Sequence, residues 1–209
     1  NEDLVNGLED SVGKLNQLIS DFEKASNLID GDEHNYQEVD LEKVMSHITE
    51  EMAELLNKCE AQLFTDLSAW QTLHYPEENL RFYLGHLMEN SCKFSSPERP
   101  LKIEVTTRVQ DGHRQLIVQD NGIGIDLKRV GNRMFKLYKT FHKGYEGRGH
   151  GLFSIRSMIN AQGGEIFVES EPDRGCRFII DFDYLDTNAE FEERIKKAKG
   201  STSYFQQND

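Results

Sequence analysis

Cysteine, proline and tryptophan are scarce in this 209-residue chain, at three, four and one. The cysteines, Cys59, Cys92 and Cys176, are odd in number, widely scattered and in no CxxC pair. They suggest neither a disulfide framework nor a zinc cage, and fit a reducing, cytoplasmic compartment. Long apolar runs are missing too. The longest are a few residues, far short of the roughly 20 that cross a bilayer, so no direct membrane contact is expected. No leader-like stretch follows Asn1, and the chain reads as a piece of something longer. Positive charge is also short: 24 basic against 37 acidic side chains give a net −13. Residues 1–60 carry 16 acidic and 4 basic groups, a net −12, and the remainder is close to neutral at −1. Nucleic-acid binding needs a basic surface to replace counterions, so no nucleic-acid partner is expected.

Twelve phenylalanines and seven tyrosines are more than a disordered chain of this charge would hold, and they promise a core. Residues 1–30 read as one helix. Val5, Leu8, Val12, Leu15, Ile19, Phe22 and Ile29 step by threes and fours, with Ser26 at the polar seam position. That is a heptad seam, which suits either dimerisation or packing on the chain's own domain. The polar run 30–35 is the boundary candidate, dividing 1–32 from a main domain 33–185, with a tail 186–209 expected to hold a short helix and then disorder.

Within the main domain a helix follows Asp40 as N-cap, with Leu41, Val44, Met45, Ile48, Met52 and Leu55 on one face. Gln62 to Leu67 alternates like a strand, and Pro76-Glu77-Glu78 opens a helix to about Phe94. A hairpin turns at Asp111-Gly112, a helix covers about 151–162, and strands 165–170 and 176–182 flank a turn at 171–175. This order predicts an α+β fold, a two-layer sandwich with one mixed sheet and helices on one face.

On a helical wheel Leu80, Leu84, Leu87, Met88 and Ser91 share one arc of about 100°. His86, Asn90 and Lys93 cluster on the opposite side. Downstream, Asp120-Asn121-Gly122-Ile123-Gly124 follows an apolar strand directly. A carboxylate there can accept from an amino group, and the two glycines let backbone approach a flat ring. Gly147-Arg148-Gly149-His150-Gly151 precedes a helix, where exposed backbone N–H groups make an anion site. Between these loops, residues 126–148 carry seven basic and two acidic side chains, an excess suited to a polyanion such as triphosphate.

The order of these parts resembles the catalytic ATP-binding domain of sensor histidine kinases, within the wider group that includes DNA gyrase, MutL and one class of heat-shock chaperones. Residues 86–94 look like the family's N box and 120–124 like its first glycine box. Residues 135–141 look like its phenylalanine box and 147–152 like its second glycine box. Hairpin 164–178 resembles its last two strands.

What the resemblance implies is specific. Asn90 would coordinate Mg²⁺ bridging the phosphates of ATP, and Lys93 would contact phosphate. Asp120 would accept from the adenine amino group, with Gly122 and Gly124 framing the base. Lys139 would reach the γ-phosphate, while Gly147, Gly149 and Gly151 would permit lid closure and present backbone donors to phosphate, with the adjoining Leu152 also ATP-binding. The N-terminal helix would be the second helix of a dimerisation and phosphoacceptor hairpin, making the chain a homodimer. A response-regulator receiver domain would be the partner of the phosphorylated protein.

Three departures from the family pattern stand out. His86 occupies the position, four before Asn90, where water-hydrolysing members carry a glutamate base. This favours transfer to a protein, with His86 orienting or polarising. His150 and Cys176 replace an apolar residue and a hydroxyl residue near the nucleotide. The phosphoacceptor is absent, since none of the seven histidines has the acidic-then-proline context that marks it. A degenerate, non-catalytic nucleotide-binding or dimerisation module stays open as an alternative. So does an ATP-gated clamp of the gyrase or MutL kind.

Overall fold

The computed structural model describes residues 36–135 and 151–184. The N-terminal seam helix, Lys139, Gly147, Gly149, His150 and the tail 186–209 lie outside the described residues.

Strand β1 (Tyr36–Asp40) leads into helix α1 (Leu41–Glu51), whose N-cap is Asp40. The Asp40 carboxylate accepts from the backbone N–H of Glu42 at 3.0 Å, satisfying one of the four donors a helix start leaves orphaned. Leu41, Val44, Met45 and Ile48 are buried, as their spacing predicts. The predicted single helix breaks at Met52, and a separate helix α2 (Ala53–Lys58) follows that buries Leu56 in place of Leu55. Strands β2 (Gln62–Asp66) and β3 (Thr72–Pro76) precede the long helix α3 (Glu77–Lys93). Strands β4 (Lys102–Gln110) and β5 (His113–Asp120) form the hairpin, turning at Asp111 and Gly112. Both turn residues have positive φ, 54° and 87°, which matches the twist of the flanking strands. A short helix α4 (Leu127–Val130) and a 3-10 turn (Gly131–Phe135) follow, then α5 (Gly151–Ala161), β6 (Glu165–Glu171) and β7 (Gly175–Asp181).

The main sheet has order β2-β4-β5-β7-β6, parallel at β2–β4 and antiparallel elsewhere. It is the mixed sheet expected, but not the only one among the described residues. β1 and β3 pair antiparallel into a separate two-stranded sheet, placing Val39 opposite Leu73. Helices α1, α3 and α5 pack together on one face of the main sheet. Leu80, Leu84, Leu87 and Met88 are fully buried against a row that includes Val105, Leu116, Val118 and Ile180. Strand alternation aligns these residues: Val105 pairs with Val118 and Leu116 with Ile180. Burying four large side chains on α3 is worth about 1.5–3 kcal/mol each, which fixes the helix's rotation. Ser91, in the same buried arc, is thereby set against Asp120 at the end of β5, and Asn90 beside it lines the neighbouring pocket.

Candidate nucleotide pocket

A pocket lies between the C-terminal part of α3 and the ends of β5 and β7. Asn90, Phe94, Asp120, Gly124, Ile125, Leu152, Cys176 and Phe178 line it. Four sequence-predicted residues therefore converge: Asn90, Asp120, Gly124 and Leu152. Phe94, Ile125 and Phe178 supply an apolar wall that the sequence reading did not assign. Cys176, flagged as a departure, is part of the lining.

Asp120 ends β5 and is held by three groups. Its Oδ1 accepts from the backbone N–H of Gly122 at 2.8 Å and of Cys176 at 3.2 Å. Its Oδ2 lies 3.4 Å from Ser91 Oγ, but that hydroxyl also donates to the Leu87 carbonyl at the shorter 3.0 Å. A carboxylate has about four acceptor sites, so Oδ2 keeps capacity for a donor in the pocket with Ser91 beside it. Burial raises the Asp120 pKa above the usual carboxylate value, against the opposing pull of the Gly122, Cys176 and Ser91 hydrogen bonds. The Cys176 thiol is pushed up to about 12 by burial and by the neighbouring Asp120 carboxylate, so it faces the pocket as a neutral group.

The glycines of the first loop answer to the protein's own backbone. A Cβ on Gly122 would fall on the Phe94 carbonyl oxygen and within 2.9 Å of Asp120 Oδ1. Gly124 has φ 65°, and a Cβ there would strike the Glu171 carbonyl. Gly175, at φ 87°, presses against the Asp120 carbonyl in the same way. The expected close approach is therefore backbone to backbone, with α3, the glycine loop and the β6–β7 turn interlocked. Arg99, which the sequence reading missed, staples the same junction. Its guanidinium donates to the carbonyls of Asn121 at 2.7 Å, Gly122 at 2.7 Å and Asp173 at 2.6 Å. Ile123 N–H donates to the Phe94 carbonyl and Ile125 N–H to Ser170 Oγ.

The remaining predicted residues sit at the margin. Lys93 is half-buried and not among the lining residues, with its ammonium 5.3 Å from the centre of the Phe94 ring. His86 stands two turns from the α3 C-terminus, its ring 4.5 Å from that of Phe82. Its Nδ1 lies 3.4 Å from Glu89, which is held below the usual carboxylate range chiefly by that contact. A Cβ on Gly151 would come within 3.5 Å of the His86 ring, so the first residue of α5 abuts His86. Among the described residues no group of three or more His, Cys, Asp or Glu could hold a metal. Mg²⁺ takes only one or two ligands from protein and the rest from phosphate and water. Asn90 lines the pocket with a side-chain amide whose oxygen is a ligand type a hard cation takes. No helix among the described residues is long and apolar enough to cross a membrane.

Residues 76–186 match the family model described as histidine kinase-, DNA gyrase B-, and HSP90-like ATPase. Among curated relatives, sensor protein RprX of Bacteroides fragilis is 27% identical over 148 residues, covering 69% of this chain and 28% of RprX. Sensor protein SrrB of Staphylococcus aureus is 26% identical over 197 residues, covering 86% of this chain and 33% of SrrB. The chain thus spans about a third or less of these relatives. Among solved structures, Acinetobacter baumannii histidine kinase AdeS superposes with TM-score 0.64 at 20% identity, covering 87% of this chain and 84% of AdeS. Full-length ShkA, solved with AMPPNP, superposes at 0.60 with 23% identity over 70% of this chain and 30% of ShkA. The chain belongs to the histidine kinase-, DNA gyrase B-, and HSP90-like ATPase family, as a histidine kinase catalytic ATP-binding domain.

Proposed function

We propose that this chain is the catalytic portion of a two-component sensor histidine kinase. It binds Mg²⁺–ATP and transfers the γ-phosphoryl group to a histidine on a dimerisation helix supplied from outside the chain. The observation that carries this is the half-buried Asp120 carboxylate, with Oδ2 left to accept, beside the apolar Ile125 and Phe178 and across from Asn90.

An adenine suits such a site: its amino group donates to Asp120 and its rings meet Ile125 and Phe178. Asn90 holds the metal through its side-chain carbonyl. Mg²⁺, when bound, neutralises charge on the phosphates. Lys93 contacts phosphate, and its flexible stem reaches from the rim. Lys139 and the Gly147, Gly149 and Gly151 backbone complete the phosphate side. His86, at the α5 N-terminus and paired with Glu89, orients the incoming acceptor. The acceptor's ring nitrogen bonds to the γ-phosphorus as the β–γ bridging bond breaks, and ADP leaves. The N-terminal seam forms a homodimer, the fragment works in the cytoplasm, and a receiver domain takes the phosphoryl group onward.

The test is to supply an acceptor-helix protein with γ-labelled ATP, Mg²⁺ and this chain. Acid-labile, base-stable label on the acceptor's histidine is expected. Steady phosphate release with no labelled histidine would replace transfer by hydrolysis.

A further inference from the structure

Cys59 and Cys92 stand 33 residues apart in sequence, yet their sulfurs lie 2.8 Å from each other. Cys59 caps the C-terminus of α2 and is half-buried; Cys92 is in the last turn of α3 and is 7% exposed. A disulfide needs about 2.05 Å, so closure asks for a shift of well under one ångström per helix. Cys59 also lines a surface cleft of about 380 Å³ with Lys58, Glu60 and residues 95–101, which gives a small oxidant a route to it.

Cys92 is placed to convey such a shift to the pocket. It lies two residues after Asn90, about 200° around the helix, so one faces α2 while the other faces the nucleotide site. Two residues on, the Phe94 carbonyl accepts from Ile123 N–H at 2.9 Å and sits against Gly122. A shift of Cys92 toward Cys59 is therefore carried through the last turn of α3 to the Phe94 carbonyl that fastens the glycine loop.

We propose that Cys59 and Cys92 form a redox-responsive dithiol, closed by a peroxide or a low-molecular-weight disulfide, whose closure weakens nucleotide binding. The coupling to nucleotide rests on the pocket's reading as an ATP site. Cys92 is buried and outside the cleft while Cys59 lines it, so Cys59 meets the oxidant first. Its sulfur attacks hydrogen peroxide, the O–O bond breaks, and a sulfenic acid and one water result. Cys92 sulfur then attacks the sulfenic sulfur, the S–S bond forms, and the hydroxyl leaves with the Cys92 proton as a second water. Two thiols and one peroxide give one disulfide and two waters. A disulfide of this kind in a reducing compartment is transient and sensing rather than structural.

The experiment treats the full chain with hydrogen peroxide or dithiothreitol, alkylates it under denaturing conditions and maps its peptides by mass. A dithiothreitol-reversible 59–92 linked peptide is expected, with Cys176 alkylated in both samples. Calorimetry should then show ATP bound about fivefold or more weakly by the oxidised form, the lower end of ordinary coupling between sites. Cys59→Ser and Cys92→Ala should each abolish both effects, and Cys59→Ser, at a half-exposed position, keeps the fold. Absence of the linked peptide overturns the dithiol, and a linked protein with unchanged ATP affinity overturns its coupling to the pocket. Should the reduced chain bind no ATP, the nucleotide reading fails separately. Hydrogen exchange at the Ile123 amide then decides the coupling, with faster exchange in the oxidised form supporting it and unchanged exchange overturning it.

Discussion

Ser91 and Asp120 meet where helix α3 crosses the end of β5, with Oγ 3.4 Å from Oδ2. The serine belongs to the buried arc of the helix and the aspartate to the pocket, so the contact joins core to site. The helix's fixed rotation therefore decides where the carboxylate can point.

Asp120→Asn tests the cost of that arrangement. In the folded chain the carboxyl holds its proton more tightly than in the unfolded chain. Its ionised form therefore opposes folding. The penalty is absent below the ordinary carboxylate pKa and fully present once pH rises past the raised one. Asp120→Asn should raise Tm at pH 7 and leave it little changed near pH 3. The same variant should bind ATP tenfold or more weakly, since about 1.4 kcal/mol is lost when an amide meets the adenine amino group. Thermal melts against pH, with calorimetry, check both.

Asn90→Ala should leave the unfolding free energy within about 0.5 kcal/mol of the parent, because the side chain is half-exposed. Mg²⁺-dependent ATP binding should disappear, while any binding seen without Mg²⁺ should persist. Titrations of ATP and ADP with and without Mg²⁺ separate the two.

Two glycine substitutions should move stability in opposite directions. Gly85 lies inside α3 and a Cβ there meets nothing within 4 Å, so Gly85→Ala should stabilise by about 0.5–1 kcal/mol. Gly124→Ala should destabilise by about 2 kcal/mol or more, combining positive φ with a collision against the Glu171 carbonyl. Urea unfolding gives both values.

Arg99→Ala removes the donor to three carbonyls on two loops. A loss of about 1.5–3 kcal/mol is expected, and ATP affinity should fall with it because the loop carrying Asp120–Gly124 loosens. Arg99→Lys, with a single ammonium in place of the planar fork, should recover only part of either. Urea unfolding and calorimetry on the two variants report the split.

Much of this was legible from periodicity. The buried arc of α3, the Asp40 cap and the Asp111-Gly112 turn follow from local rules, and the structure has each. The β1–β3 sheet was not readable because Tyr36–Asp40 is mostly exposed and polar; only its pairing with Leu73 and Tyr75 makes it a strand. Helix α1 stops at Met52, although the apolar spacing continues, because Leu56 rather than Leu55 turns into the core. At the site, Asp120 and Asn90 are marked by type and place. Phe178 and Ile125 look like any strand or loop hydrophobe until the backbone brings them together. Arg99 carries no local signal, since its three acceptors come from distant loops. Cys59 and Cys92 appeared unrelated because linear spacing says nothing about neighbouring helix ends.

The packing of Gly122, Gly124 and Gly175 against carbonyl oxygens also bears on how this pocket can change over time. At each position the smallest enlargement meets main chain, which has no rotamer with which to yield. A compound resting on this floor would face few escape routes there, because the substitutions that reshape the floor also unfasten the loop from the sheet. Resistance would have to arise from the side chains around it, with Ile125, Leu152 and Cys176 the positions free to vary in size.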